Sequence, residues 1–138
     1  MKLGVIGSPI EHSKSPEIHT NFANQFDLDL VFEKYLVSKD ECLEWVKSFF
    51  ESGGLGLSVT LPLKEVVLEI ADDISLRAKQ AAAANMLFLK DGKIFADCTD
   101  GLGLVTDLKT KEIDIFNKKI LILGAGGAAK GIVPSLLN

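Results

Sequence analysis

The chain has 138 residues, of which 47% are hydrophobic and 25% are charged, and its net charge is −4. This length and composition are typical of a compact domain with a hydrophobic core. An acidic chain whose only arginine is Arg77 lacks the basic surface of a nucleic-acid-binding protein. No apolar run reaches the ~20 residues that a membrane helix needs. We therefore expect neither a nucleic-acid partner nor a membrane partner.

The cysteines and histidines do not form a recognisable metal pattern. Cys42 and Cys98 lie far apart, and His12 and His19 have no carboxylate or thiol at metal-ligand spacing. We expect no metal site, two reduced thiols and a cytoplasmic protein.

The first predicted unit is a strand at residues 3–6, a loop rich in turn residues and a helix at residues 15–26. Ser15 has the features of a helix N-cap, because Pro16 follows at the first helical position. A role as helix N-cap would by itself be sufficient to explain a serine at position 15. Ser13 has no such use in the sequence pattern, so the two serines beside Lys14 indicate a site for a polar ligand. The apolar face of this helix is predicted at Ile18, Phe22 and Phe26.

The second unit is a strand at residues 30–37 and a helix that ends near residue 52. Ser38 and Glu41 have capping-box spacing, and Gly53 and Gly54 end the helix. A buried strand then follows at residues 55–60, and Pro62 predicts the start of another helix, which Thr60 would cap. Ser58, Thr60 and Lys64 would gather beyond the carboxyl end of this strand, where open α/β sheets bind ligands. A simple turn with a solvated lysine would explain the same stretch.

The third stretch contains a short helix at residues 75–80 and a hairpin signal at residues 90–93. The hairpin is flanked by apolar segments, and polar Asn85 interrupts the first of them. A turn at residues 97–103 then opens a helix to about residue 109. Asp100 lies near this helix start, where a role as cap or dipole partner would be sufficient to explain it.

The last stretch predicts a buried strand at residues 119–123, a glycine-rich turn and a helix. The turn has the GxGxxA pattern in the strand–turn–helix order of dinucleotide-binding proteins. In such proteins the glycines let a pyrophosphate approach the backbone at the helix N-terminus. A glycine-rich turn without a ligand is the alternative. The candidate cofactor residues are Gly124, Ala125, Gly126, Gly127 and Ala128.

Together these patterns predict an α/β fold. We expect a three-layer α/β/α domain with a mostly parallel sheet, helices on both faces and one antiparallel strand from the hairpin. This domain would cover residues 1–100. Residues 101–138 would supply a linker helix and the first βα unit of an incomplete Rossmann domain.

Five motifs, in order along the chain, resemble those of the shikimate dehydrogenase family. They are Val-Ile-Gly-Ser-Pro at 5–9 with Ser-Lys-Ser-Pro at 13–16, Val-Thr-Leu-Pro-Leu-Lys at 59–64, Asn85, Thr-Asp-Gly-Leu-Gly at 99–103, and the glycine-rich segment at 124–129. The family enzyme is roughly twice as long as this chain. The resemblance therefore implies the N-terminal, substrate-binding half of such an enzyme.

The resemblance implies NADP-dependent, reversible reduction of 3-dehydroshikimate to shikimate. Lys64 and Asp100 match the paired catalytic residues of the family. Ser13 and Ser15 would bind the substrate carboxylate, and four further positions would surround the ring hydroxyls and the reacting carbonyl: Thr60, Lys64, Asn85 and Asp100. Ser58 is a further substrate-binding candidate. The isolated chain is expected to be inactive, because the family's remaining substrate and cofactor residues lie in the other half.

Four positions depart from the usual family pattern, and one of them is Ala96, which stands where glycine is common. Ser58 and Cys98 stand where the family has asparagine, and Met86 stands where it has threonine. Two alternatives remain open: a quinate/shikimate dehydrogenase, and a non-catalytic binding module of the same fold. A lone βα unit also cannot cover its own apolar faces. Residues from about 118 to 138 are therefore expected either to pack against a second copy of the chain or to be poorly ordered. We expect them to bind NADP weakly or not at all.

Overall fold

The computed structural model describes residues 1–137, which form a six-stranded sheet with helices around it. The sheet order is β2-β1-β3-β5-β6-β4. The strands are β1 (Lys2–Gly7), β2 (Val31–Leu36), β3 (Gly56–Val59), β4 (Asp73–Ile74), β5 (Met86–Lys90) and β6 (Lys93–Asp97). The α-helices are α1 (Ser15–Gln25), α2 (Cys42–Glu51), α3 (Leu76–Ala81), α4 (Asp100–Thr110) and α5 (Gly127–Leu136).

The sheet is mostly parallel, as predicted, and β5 is its antiparallel strand. β1 pairs in parallel with β2 and β3, and β4 pairs in parallel with β6, whereas β5 is antiparallel to both β3 and β6. The β5–β6 hairpin turns through Asp91 (φ 52°) and Gly92 (φ 76°). Two consecutive residues with positive φ match the twist of a two-residue hairpin. The prediction of one antiparallel strand from this hairpin is therefore confirmed.

Helices α1 and α2 lie on opposite faces of the sheet. Tyr35 of β2 packs against Trp45 of α2, with ring centroids 4.8 Å apart. Phe32 of the same strand stacks on His19 of α1, with centroids 4.4 Å apart. Side chains alternate between the two faces along a strand, so residues 32 and 35 point to opposite sides. The predicted three-layer arrangement is confirmed.

The hydrophobic core lies between α2 and the sheet. Its most buried side chains include Ile6, Val46, Leu57, Leu63 and Leu87, each at most 2% exposed.

The prediction of which residues form the apolar face of α1 was wrong. Ile18, Phe22 and Phe26 are 47%, 50% and 71% exposed, and the buried residue of this helix is Ala23. The small alanine lets α1 lie close to β1 and β2, and His19 of the same helix supplies the ring that stacks on Phe32.

No α-helix begins at Pro62, contrary to the prediction. The N–H of Leu63 donates to the carbonyl of Thr60 at 2.9 Å and closes a turn, and only a 3-10 helix at Val66–Glu69 follows. The carbonyl of Lys64, which an α-helix would use for its own ladder, accepts instead from the N–H of Ala84 at 2.7 Å. A long-range backbone bond has therefore replaced the local helical bond.

Residues 119–123 do not form the predicted buried strand. They belong to none of the strands in the described part of the chain, and Leu121 and Leu123 are 84% and 89% exposed. A strand requires a hydrogen-bonded neighbour, and residues 1–137 offer this segment none. The helix predicted after the glycines is present as α5. None of the described helices combines the length and the apolar character needed to cross a bilayer.

Candidate functional site

Lys64 and Asp100 form an ion pair at one edge of the sheet. Lys64 lies in the turn after β3, and Asp100 is the first residue of α4, which follows β6. Lys64 Nζ donates to Asp100 Oδ2 at 2.5 Å, and the two side chains are 13% and 24% exposed. β3 and β6 are both antiparallel to β5, so they run in the same direction and their carboxyl ends meet at one edge. The topology therefore joins residues that are 36 positions apart in sequence.

Asn85 holds the other oxygen of the Asp100 carboxylate. It immediately precedes β5, which starts at the edge where β3 and β6 end. Asn85 Nδ2 donates to Asp100 Oδ1 at 2.9 Å and to Thr99 Oγ1 at 3.0 Å. Asn85 Oδ1 accepts from the N–H of Thr99 at 2.8 Å. The carboxylate is thus held at both oxygens, one by Lys64 and the other by Asn85.

Thr60 lies next to Lys64, but it does not cap a helix. Its N–H donates to the carbonyl of Ile6 at 3.0 Å, and the N–H of Ser8 donates to the carbonyl of Leu61 at 2.9 Å. Gly7 allows this contact, because a Cβ there would lie 2.5 Å from the Thr60 methyl. The loop after β1 is therefore held against the turn that carries Thr60 and Lys64.

Ser13 and Ser15 form a separate hydrogen-bonded pair at the start of α1. Ser15 is the first helical residue and Lys14 is the N-cap, so the prediction of Ser15 as N-cap was wrong. Ser13 also has a local use that the sequence did not indicate. Its Oγ accepts from the N–H of Ser15 at 3.3 Å and donates to Ser15 Oγ at 3.2 Å. Among the described residues, no hydrogen bond joins these serines to the Lys64–Asp100 pair.

Ser58 lies inside β3, in register with Val5 and Met86. Its neighbour Leu57 faces the core beneath α2, so the side chain of Ser58 points to the α1 side of the sheet. It is half-buried. The two serines of α1 and Ser58 therefore belong to the same face of the sheet.

The glycine-rich segment lies beside Lys64. Thr60, Lys64, Gly127 and Ala128 border one cavity of about 90 Å³. Gly124 and Ala125 border a second cavity of about 390 Å³, which is also lined by α3 and α5. Gly124 has a φ of 114°, which favours glycine. Gly126 is the N-cap of α5, so the first N–H groups of that helix follow the turn directly. A helix N-terminus that directly follows a glycine-rich turn presents free N–H groups of the kind that bind phosphate.

Asp97 is a second carboxylate near the pair, and the sequence analysis did not single it out. It is 6% exposed. Asp97 Oδ1 accepts from Ser75 Oγ at 2.6 Å, from Arg77 Nε at 2.6 Å and from the N–H of Cys98 at 2.8 Å. Arg77 Nη2 donates to Oδ2. The hydrogen bonds from Arg77 are the main reason that the pKa of Asp97 lies below its usual value. The one feature of the sequence that could have indicated this ion pair is that Arg77 is the only arginine.

Both cysteines are free and buried. Burial raises the pKa of Cys42 to about 11 and also raises the pKa of Cys98. Cys98 Sγ lies 3.8 Å from the carbonyl oxygen of Gly131 in α5.

The sequence comparisons agree with the motifs. A family model described as the shikimate dehydrogenase substrate binding domain matches residues 5–87. The shikimate dehydrogenase (NADP(+)) of Methylococcus capsulatus is 49% identical over 138 residues, which cover 99% of this chain and 50% of that protein. The chain spans about half the length of the curated relatives it matches.

The structural comparisons agree as well. The shikimate 5-dehydrogenase of Thermus thermophilus in complex with shikimate has a TM-score of 0.92 and 29% identity, over 99% of this chain and 52% of that chain. An Ael1 enzyme from Pseudomonas putida has a TM-score of 0.88 and 39% identity, over 99% and 51%. The fold, the ordered motifs and the matched domain lead to one conclusion: the chain belongs to the shikimate dehydrogenase family.

Proposed function

We propose that this chain provides the substrate-binding part of an NADP-dependent shikimate dehydrogenase, which reversibly reduces 3-dehydroshikimate to shikimate. The observation that carries the proposal is the Lys64–Asp100 ion pair, held by Asn85 and bordered by Gly127. Named relatives that act on shikimate and NADP(+) support it. Residues 1–100 would form the substrate-binding domain, and residues 101–138 would lead into the dinucleotide-binding domain.

In this proposal Lys64 and Asp100 act on the reacting carbonyl. NADPH supplies the hydride when it is bound. The ammonium of Lys64 stabilises the negative charge that develops on the carbonyl oxygen and donates a proton to it. Asp100 keeps the ammonium in place and balances its charge. In the reverse direction, the oxidation of shikimate, the neutral amine of Lys64 accepts the hydroxyl proton and becomes the ammonium again.

The remaining polar residues bind the substrate. Ser13 and Ser15 hold its carboxylate through the two hydroxyls that now hydrogen-bond to each other. Thr60 and Asn85 face the ring hydroxyls, and Ser58 contributes one hydroxyl where the family has an amide. The glycines and Ala125 and Ala128 at residues 124–128 bind the pyrophosphate of NADP.

Two further parts of the proposal concern the surroundings of the chain. The buried free thiols are consistent with a reducing, cytoplasmic compartment.

The exposed Leu121 and Leu123 are available for packing against a second copy of the chain. Size measurement in solution, with Leu121→Ser and Leu123→Ser as the comparison, tests this association.

The non-catalytic alternative rests on Ser58, Met86 and Cys98. The structure offers a counter-argument, because these departures leave the hydrogen bonds among Lys64, Asn85 and Asp100 in place. A quinate/shikimate dehydrogenase remains the nearest enzymatic alternative, and it differs in the substrate that is preferred.

A chimaeric enzyme tests the proposal. Residues 1–138 are joined to the part of the Methylococcus capsulatus protein that lies beyond the matched region, and oxidation of shikimate and of quinate is measured with NADP⁺. We expect turnover with shikimate. A folded chimaera that binds NADP⁺ but oxidises neither substrate would contradict the proposal, whereas a preference for quinate would support the alternative enzyme. The natural relative serves as the positive control.

A further inference from the structure

Two glycines of α5 lie directly against the Lys64–Asp100 pair. Gly127 and Gly131 are four residues apart and therefore share a face of the helix. A Cβ at Gly127 would lie 2.9 Å from the Cβ of Lys64. A Cβ at Gly131 would lie 3.0 Å from Asp100 Oδ2 and 3.2 Å from Cys98 Sγ. The oxygen that a side chain at position 131 would approach is the one that accepts the hydrogen bond from Lys64.

The position of α5 is set by further close contacts. A Cβ at Gly101, the residue after Asp100, would lie 2.4 Å from Ser135 Oγ and 2.9 Å from the carbonyl oxygen of Gly131. Lys130 Nζ donates to Glu65 Oε2 at 2.6 Å. Helix α5 is therefore in contact with the residue that follows each member of the pair, and it would lose its close approach to Gly101 if it moved away to make room for a larger side chain.

We propose that Gly127 and Gly131 are positioning residues, which allow α5 to hold the Lys64 ammonium and the Asp100 carboxylate at hydrogen-bonding distance. The positioning role follows from the contacts alone, and only its effect on catalysis rests on the proposed function. The pair makes a 2.5 Å contact, and hydrogen bonds weaken as their geometry departs from the optimum. A methyl group at position 131 requires Asp100 Oδ2 to move by a few tenths of an ångström, which changes the geometry of its hydrogen bond to Lys64.

Helix α5 also couples the two halves of the site. Gly127 is both the first residue of α5 after the glycine-rich turn and the residue packed on the stem of Lys64. At Gly127, no side chain separates Lys64 from the backbone that is predicted to bind the pyrophosphate. The same helix therefore sets the position of a bound dinucleotide and that of the proton donor.

The test uses Gly131→Ala in the 138-residue chain, followed by NMR. The reporters are the side-chain amide of Asn85, which donates to Asp100 Oδ1, and the ammonium of Lys64. We expect both resonances to move. The Nε–H of Arg77, which donates to Asp97, is an internal reference that stays in place. The matched control is Gly103→Ala in α4, where nothing lies within 4 Å of the added Cβ and neither reporter should move.

A second variant separates the contact with Asp100 from the contact with Cys98. Cys98→Ala in the Gly131→Ala background removes the sulfur at 3.2 Å and leaves the carboxylate at 3.0 Å. If positioning is the role, the Asn85 and Lys64 resonances stay displaced. Recovery of the parent resonances would overturn the proposal, as would a folded Gly131→Ala chain with unmoved reporters. Failure of both variants to fold would also overturn it, because the glycine would then be required for folding alone.

The chimaera gives the catalytic readout. We expect Gly131→Ala to lower kcat by about 10- to 100-fold, the scale of a small misplacement of catalytic groups, with a smaller change in the KM for NADP⁺. Moved NMR reporters with an inactive parent chimaera would contradict the proposed function and leave the positioning role standing. Moved reporters with unchanged kcat would contradict the catalytic consequence.

Discussion

Asp97 and Asp100 are the same residue type, three positions apart, and the fold gives them different environments. Asp97 ends β6 and is 6% exposed, with Ser75, Arg77 and a backbone N–H bound to its oxygens. The side chain of Asp100 is 24% exposed and accepts from Lys64 and Asn85. Asp97 accepts from Ser75 and Arg77 at the start of α3 and from the next N–H along the chain, whereas Asp100 is held by Asn85 and by Lys64, which borders a cavity.

The difference separates a carboxylate that is occupied by protein donors from the carboxylate that we propose is functional. A carboxylate whose lone pairs are used by the protein is held strongly but has little capacity left for a ligand. Ser75 and Arg77 come from the start of α3, so Asp97 fixes this helix start against the end of β6. Asp100 instead orients an ammonium that borders a cavity. Substitutions at the two sites should therefore affect different properties.

The largest effect is expected at the functional pair. Lys64→Met in the chimaeric enzyme should lower kcat for shikimate oxidation by about 100- to 1,000-fold, because it removes the group that stabilises charge and transfers the proton. Unfolding in urea should show a small change in stability. Lys79→Met is the matched control, since Lys79 is exposed on α3 and should leave kcat unchanged. A fully active Lys64→Met enzyme would remove Lys64 from the mechanism.

The next effect is expected at the structural carboxylate. Asp97→Asn should lower the free energy of unfolding by about 2–3 kcal/mol. It removes the negative charge that Arg77 and the Cys98 N–H bind. It also places an amide NH₂ group, which is a donor, opposite groups that are themselves donors. Asp100→Asn is the comparison and should cost about 1 kcal/mol or less. Urea unfolding of the 138-residue chain measures both. Equal losses of stability would mean that the two carboxylates have the same role.

Low pH should also lower the free energy of unfolding through Asp97, but by less than the substitution Asp97→Asn does. Its pKa is lower in the folded chain than in the unfolded chain, mainly because of the hydrogen bonds from Arg77. Its contribution to stability is therefore complete above the unfolded pKa, about 3.9, and is lost as the pH falls through the folded pKa. We expect the unfolding free energy to drop below about pH 4. Asp97→Asn should flatten this part of the profile, and an unchanged slope would contradict the assignment.

The smallest effect is expected at Ser75. Its Oγ donates to Asp97 and accepts from the N–H of Ala78 at 3.1 Å, which caps α3. Ser75→Ala should cost about 1 kcal/mol, the usual value for loss of an N-cap. Ser48→Ala on the exposed side of α2 is the control and should change the unfolding free energy by less than about 0.5 kcal/mol. A loss at Ser75 no greater than at Ser48 would show that the cap is dispensable.

Much of the fold followed from local patterns in the sequence. Alternating strand and helix signals predicted the parallel α/β sheet, and the Asp91-Gly92 turn predicted its antiparallel strand. The ordered motifs, through their resemblance to a family, indicated Lys64, Asn85 and Asp100. Their hydrogen bonds required the structure, because nothing local in sequence joins residues that are 36 positions apart. The structural role of Asp97 was also missed, since its donors become neighbours only after β6 and α3 pack.

Two apolar segments show where the sequence stopped being sufficient. Residues 56–59 and 119–123 have the same strand-like character, but the first lies between β1 and β5 whereas Leu121 and Leu123 are exposed. The local sequence determined that each segment favours an extended, buried strand and that a helix follows the glycines. Only the tertiary structure decided which became a strand, because a ladder forms where neighbouring backbones supply hydrogen-bond partners and side chains cover both faces.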